Sequence, residues 1–362
     1  MEVVKVDLRE EIDNSYDIVI GRGLLDNLAM ELRKIPANEF VIITDSNIAG
    51  TYGKRLLNDL KNKNIDVHLI TFSAGEKSKT RKTKEKLENE MLRLNLGRDA
   101  CIIALGGGVA GDIAGFAAAT YMRGIPYIHV PTTLLAMVDS SIGGKVAVDT
   151  GHAKNAVGAF YQPKKVVIDL NFLKTLPKKE LVNGLAELIK HALIKDKDFF
   201  HFIEKNIDRI LACDVDILKT AIKRSCEIKA DIVMQDEKEK GLRRILNYGH
   251  TIGHAIESAL SYRISHGNAI AIGMSYAAKL SAKLGHLHEG SVIRQNNLLE
   301  YIGLPHKLSH HKLKPRRILE HVQYDKKIMN GRINFVLLNS IGDAFVSDEV
   351  NIEDIKNILE EG

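Results

Sequence analysis

Apolar residues in the first half of the chain come in short unbroken runs. These are FVIITD at Phe40–Asp45, VHLITF at Val67–Phe72, CIIALG at Cys101–Gly106, YIHVP at Tyr127–Pro131 and KVVIDL at Lys165–Leu170. Runs of this length, rich in Val and Ile and separated by helix-like stretches, predict parallel strands covered on both faces. An opening pair, Val3–Val6 and Tyr16–Gly21, predicts a hairpin at the sheet edge. Past Pro177 the texture changes. Glu180–Ile194, Val215–Met234, His250–Leu260 and Asn268–Leu284 space their apolar residues three and four apart and predict helices. Two extended runs within Ile333–Val346 flank the turn Asn339–Asp343 and predict a late hairpin. The pattern therefore divides the chain near Leu176–Lys178. Residues 1–177 form an α/β domain with a parallel, Rossmann-like sheet in non-standard order, and residues 178–362 a mainly α-helical domain.

Length agrees with two domains, since 362 residues exceed the ~250–300 at which a single core stops growing. The 45% hydrophobic and 27% charged fractions are those of an ordinary globular chain. Cys101, Cys213 and Cys226 are widely separated, which predicts neither a disulfide framework nor a thiolate metal site and fits a reducing cytoplasm. From Glu2 onward charges alternate with Val and Ile, without the apolar core of a signal peptide. Gly106–Met122, the most apolar later stretch, is broken by Asp112 and is too short to span a bilayer, so no membrane segment is expected. The formal charge of +5 is spread along the chain rather than gathered in a stripe. It suits an anionic small molecule but gives no reason to expect nucleic acid.

Gly106, Gly108 and Gly111 fit G-x-G-x-x-G directly after the run Cys101–Leu105 and before a helix-like stretch from Asp112. Such a loop offers main-chain N–H groups and a helix N-terminus to a pyrophosphate. It also serves simply as a tight strand-to-helix turn. The acidic residue expected about 20 positions downstream is missing, but Asp45 with Asn47 ends an upstream strand and offers a carboxylate for a ribose hydroxyl.

His250 and His254 stand at i and i+4, with His266 shortly after. Two imidazoles on one helix face can share a cation, yet with fourteen histidines in the chain such a pair also arises by chance. The intervening Thr251, Ile252 and Gly253 exclude an H-E-x-x-H protease motif. Glu187, Lys190 and His191 lie on neighbouring turns, and their bare spacing equally describes a surface ion pair. A carboxylate with two imidazoles and an open fourth position is the ligand set of a catalytic zinc.

Taken together, GGGVAGD (Gly106–Asp112), PTTLLAMVDSSIGGK (Pro131–Lys145), GLAELIKH (Gly184–His191) and LNYGHTIGHAIE (Leu246–Glu257) closely resemble the 3-dehydroquinate synthase family, nearly end to end and in order. The resemblance implies an NAD- and divalent-metal-dependent lyase, usually with Zn2+ and with Co2+ as an alternative, acting in the shikimate pathway of aromatic amino acid biosynthesis. It would convert 3-deoxy-D-arabino-heptulosonate 7-phosphate to 3-dehydroquinate and phosphate by oxidation, phosphate elimination, reduction and intramolecular aldol closure. It further implies a cytoplasmic homodimer.

Carried over residue by residue, the resemblance makes Glu187, His250 and His266 the metal ligands and His254 a nearby proton relay. It places NAD on Asp45, Asn47, Glu76, Lys79, Gly107, Gly108, Val109, Asp112, Thr132, Thr133, Asp139, Lys145, Lys154, Phe172 and Thr175. Substrate contacts fall to Arg123, Asp139, Lys145, Lys154, Asn155, Lys190, Lys229, Arg243, Asn247 and one of Lys326 or Lys327, a set weighted toward cations as a carboxylate and a phosphate require. One departure is visible in HGNAIAIGM. Asn268 stands where the family pattern usually has Glu, and a carboxylate lost there would alter the orientation or basicity of His266. The rival readings are a related sugar-phosphate cyclase, a metal-dependent polyol dehydrogenase, which would release NADH, and a catalytically silent binding protein.

Overall fold

A computed structural model describes residues 13–151, 153–308, 314–324, 328–329 and 332–361. Six parallel strands form its main sheet: β1 (Asp17–Gly21), β2 (Glu39–Asp45), β3 (Val67–Phe72), β4 (Ala100–Gly106), β5 (Tyr127–Pro131) and, after a small antiparallel hairpin of β6 (Lys145–Val148) with β7 (Val157–Phe160), β8 (Lys165–Asp169). Their order across the sheet is β1-β8-β5-β4-β2-β3. The central strand β4 is buried at all seven positions. Side chains alternate along each strand, so Cys101, Ile103 and Leu105 enter one core and Ala100, Ile102 and Ala104 the other. That two-sided burial is why the runs are apolar throughout.

The five apolar runs are strands, as expected, and the order is not that of a Rossmann sheet. Tyr16–Gly21 supplies an edge strand of the sheet, as expected. Val3–Val6 lies outside the described residues, and Asp17–Gly21 pairs in parallel with Lys165–Asp169 at the sheet edge. The β6–β7 hairpin was not foreseen. Its strands are short and rich in Ala and Gly, which leaves little periodic signal.

The four predicted helices occur as Lys178–Lys195, Val215–Gln235, His250–Ala259 and His266–Lys283. Phe335–Ser340 pairs with Asp343–Ser347 as the late hairpin. One apolar core runs without interruption from the sheet (Ile42, Ile103, Ile168) into these helices (Leu185, Ile222, Ile252, Ile272). The second core lies on the other sheet face, under the helix Gly108–Thr120. That helix comes very close to the sheet, because a Cβ on Gly111 would stand 2.2 Å from the ring of His129 on β5. Among the described residues no helix is long and apolar enough to cross a membrane.

Candidate active site

Chain direction changes between β2 and β4: from β2 the sheet builds outward to β3, and from β4 to β5 and β8. In an open parallel sheet such a reversal leaves a crevice at the C-terminal strand ends. The expected dinucleotide residues gather along that edge, in the loops after five strands. Asp45 ends β2 and Asn47 follows it, Glu76 and Lys79 follow β3, and Gly107, Gly108, Val109 and Asp112 follow β4. Thr132, Thr133 and Asp139 follow β5, and Phe172 and Thr175 follow β8. Gly107 caps the helix Gly108–Thr120, whose first N–H groups have no partner within the helix's own ladder. Asp45 Oδ2 would be 3.6 Å from a Cβ on Gly106, so the adjacent upstream strand brings a carboxylate to the start of the glycine loop. Phe172 meets Tyr52 edge-on at 4.7 Å, and Thr175 Oγ1 is 2.8 Å from the Tyr52 hydroxyl.

Three helices build the second part of the site. Helix Lys178–Lys195 docks on the loop after β5 at Gly184, where a Cβ would meet the Leu135 nitrogen at 2.5 Å. The start of helix His266–Lys283 is tied to it by Gly267 N–H donating to Asn183 Oδ1 at 2.6 Å. Helices His250–Ala259 and His266–Lys283 touch backbone to backbone, since a Cβ on Gly273 would sit 1.9 Å from the Gly249 carbonyl oxygen. These contacts bring Glu187, His250 and His266 together. Nε2 of His250 lies 3.7 Å, and Nε2 of His266 3.6 Å, from the same Glu187 Oε1, which is buried and accepts no hydrogen bond. Ligand atoms about 2.0–2.1 Å from a tetrahedral zinc ion stand about 3.4 Å apart, so the spacing and the donor set fit a divalent cation.

The electrostatics differ between the three. Burial would raise the Glu187 carboxyl, but Lys190, His250 and His266 hold it well below the usual range. Burial pushes His250 well below its ordinary value and leaves a neutral imidazole. His266 is also penalised by burial, yet Glu187 and Glu257 outweigh this and raise it to about 9. Its Nδ1 lies 3.3 Å from Glu257 Oε1, whereas Nδ1 of His250 faces the Tyr248 carbonyl at 3.1 Å. Asn268 lies two residues beyond His266. It is the third residue of a helix capped by Ser265, whose Oγ accepts from Asn268 N–H at 3.4 Å. A Glu there could complete a capping box; the carboxylate the structure places beside His266 is Glu257. His254 stands off, with its ring centroid 5.1 Å from that of His250 and 6.1 Å from that of His266.

The expected cations converge between these two parts, beside carboxylate or carbonyl acceptors. Lys190 faces Glu187, Lys229 faces the Asp139 carboxylate and donates to its carbonyl at 2.7 Å, and Lys79 contacts Asp112 and donates to Asn155 Oδ1 at 2.5 Å. Burial lowers the Lys79 pKa, but Asp112 and Glu76 outweigh it and hold the ammonium above its usual value. Lys154, in the loop joining β6 to β7, reaches Glu76 at 3.0 Å and Glu257 at 3.3 Å. Lys145 and Asn247 share Glu239. Arg243 is 1% exposed and donates to the carbonyls of Glu237 and Gly143, the latter at 3.0 Å. Arg123 is not brought in. It follows the far end of helix Gly108–Thr120, about 20 Å from Gly107. Lys326 and Lys327 lie outside the described residues. Sequence reading missed Glu239 and Glu257. Glu239 sits in a run of alternating charges that marks nothing, while Glu257 stands one helical turn past His254, a spacing that carries a signal.

Two family models match the chain, 3-dehydroquinate synthase N-terminal over residues 69–183 and 3-dehydroquinate synthase C-terminal over residues 184–328. A 3-dehydroquinate synthase of Thermoanaerobacter pseudethanolicus is 46% identical over 361 residues, covering 99% of this chain and 100% of its own.

The chain belongs to the 3-dehydroquinate synthase family.

Solved relatives of the family include 2-epi-5-epi-valiolone synthase from Streptomyces hygroscopicus subsp. jinggangensis 5008 with NAD+ and Zn2+ bound. It is 29% identical, with a TM-score of 0.90 and coverage of 99% of this chain and 98% of that one. A 2-deoxy-scyllo-inosose synthase complexed with carbaglucose-6-phosphate, NAD+ and Co2+ is 32% identical, with a TM-score of 0.87 and coverage of 95% and 96%. The fold is thus common to cyclases of several products, while sequence identity is higher to the 3-dehydroquinate synthase than to these two cyclases.

Proposed function

We propose that the chain is a lyase converting 3-deoxy-D-arabino-heptulosonate 7-phosphate to 3-dehydroquinate and inorganic phosphate. NAD would lie on residues 1–177 and a divalent metal on residues 178–362. The observation that carries this reading is the convergence of Glu187 Oε1 with Nε2 of His250 and His266, held by helices packed directly on the loops of the sheet edge. Glu187, His250 and His266 would hold the ion, which supplies Lewis-acid polarisation of a substrate oxygen. Asp45 would receive a ribose hydroxyl, and the N–H groups after Gly107 the pyrophosphate.

The remaining side chains bind and orient. Lys190 and Lys229, with side chains 2% and 8% exposed, stay beside Glu187 and Asp139 and position those carboxylates. Lys145 and Lys154 are more open, and their contacts with Glu239 and Glu76 are the ones a substrate's own anions would replace. Arg243, Asn155 and Asn247 complete that lining, and His254, with its side chain 42% exposed beside the metal pocket, would relay a proton at the substrate oxygen. Arg123 lies a helix length from its own site, and in a homodimer its substrate contact would be made to the partner's site.

The test is release of phosphate from the heptulosonate phosphate with NAD present. Turnover without net NADH, abolished by a chelator and restored by Zn2+ or Co2+, supports the reading. Stoichiometric NADH would make the chain a dehydrogenase instead, and activity on a neutral sugar phosphate in place of the acid would make it another cyclase.

A further inference from the structure

Glu257 stands where three parts of the molecule meet. It belongs to helix His250–Ala259 and is 2% exposed. Oε1 lies 3.3 Å from Nδ1 of His266 and 3.3 Å from Nζ of Lys154, and Oε2 lies 3.9 Å from Nε2 of His254. A carboxylate taken out of water needs charged or donating partners to offset several kcal/mol of lost hydration. Here one partner is an imidazole whose other nitrogen faces Glu187. The second is an ammonium on the β6–β7 loop, which also reaches Glu76.

We propose that Glu257 is a positioning residue for His266. It fixes the ring plane and the tautomer so that Nε2 points at the cation site, and Lys154 holds Glu257 in place from the opposite side. The proposal rests on the reading of Glu187, His250 and His266 as metal ligands. An imidazole that donates Nδ1–H to a carboxylate cannot swing, and its Nε2 becomes a stronger donor to a cation. His250 is oriented differently, by the main-chain carbonyl of Tyr248, which no side-chain substitution removes. His266 is therefore the ligand whose quality depends on a side chain. Asn268 has no carboxylate to offer, and the one beside His266 Nδ1 belongs to Glu257.

The experiment uses the full chain stripped of metal. Zn2+ affinity is measured by competition with a chromophoric chelator, Co2+ binding by its visible absorption, and NAD affinity in parallel. Glu257→Gln, of nearly the same shape, is expected to weaken Zn2+ about 10- to 100-fold and to alter the Co2+ spectrum, with NAD affinity unchanged. Lys154→Met is expected to weaken the metal by a smaller factor, and Asn268→Glu not at all. Should Glu257→Gln fold poorly, Glu257→Asp, which withdraws the charge by one methylene, is expected to show the same pattern. Wild-type metal affinity in the Glu257 variants, with binding lost in His266→Ala, overturns the proposal and leaves the metal site standing. Wild-type affinity in His266→Ala sinks the metal reading itself. Recovery of Zn2+ binding by Asn268→Glu in the Glu257→Gln background would show that position 268 orients the imidazole, and overturns the proposal as well.

Discussion

The sheet edge and the helical pocket are made of different material. Along the edge, the loops after five parallel strands place the expected dinucleotide residues by their position at the strand ends, although Lys79, Asp139 and Thr175 also meet partners distant in sequence. In the pocket, Glu187, His250 and His266 sit on three separate helices, and their meeting depends on backbone contacts at Gly184 and between Gly249 and Gly273. The difference teaches where precision comes from. A parallel sheet aligns its strand ends by hydrogen-bond register, so the edge follows from forming the sheet. The pocket must be assembled by packing, so a single added methyl group far from any ligand can disturb it.

The contrast can be broken hardest at His266. His266→Ala is expected to lower phosphate release by at least about 10³-fold, because Lewis-acid stabilisation is worth several kcal/mol. NAD affinity should stay near the wild-type value, which isothermal titration would check. Loss of both together would mean that edge and pocket are one structure.

Next comes pH, which acts on the sheet side. His129 is buried against Gly111, and burial lowers its pKa to about 4. The unfolded chain takes up that proton near 6.5, the folded chain only near 4. Stability is therefore complete above about pH 6.5 and falls as the pH drops toward 4, by about 3 kcal/mol at most. Urea midpoints measured across that range test it, and His129→Leu should flatten the slope.

Gly273→Ala is expected to cost about 1–3 kcal/mol, seen as a lower Tm, and to weaken the metal more than NAD. The added Cβ would press into the Gly249 carbonyl, immediately before His250. Asp45→Asn is the mildest change. It should raise the Kd for NAD about tenfold, the worth of one charged hydrogen bond, and leave the metal untouched.

The same division explains what could be read from the sequence. Strands such as Cys101–Gly106 were legible because burial on both faces forces an unbroken apolar run. The glycine loop was legible because its geometry is local. Its acidic partner was only half legible: Asp45 precedes the loop in sequence and joins it only through the adjacency of β2 and β4. The metal set could not be derived from spacing, which pairs His250 with His254. Only the family pattern selected His266, whose approach depends on the turn Leu260–Ser265 and on Asn183. Glu239 was missed because a carboxylate in a charged run looks the same whether it is solvated or buried, whereas Glu257 could have been found by its spacing from His254.

The continuous apolar core carries a practical consequence. Residues 1–177 and 178–362 differ in topology but share the side chains between them, so no clean cut exists at Pro177. Either half expressed by itself would carry a bare oily wall and be expected to clump. Swapping one half for that of a distant cousin would succeed only if the buried wall travelled with it.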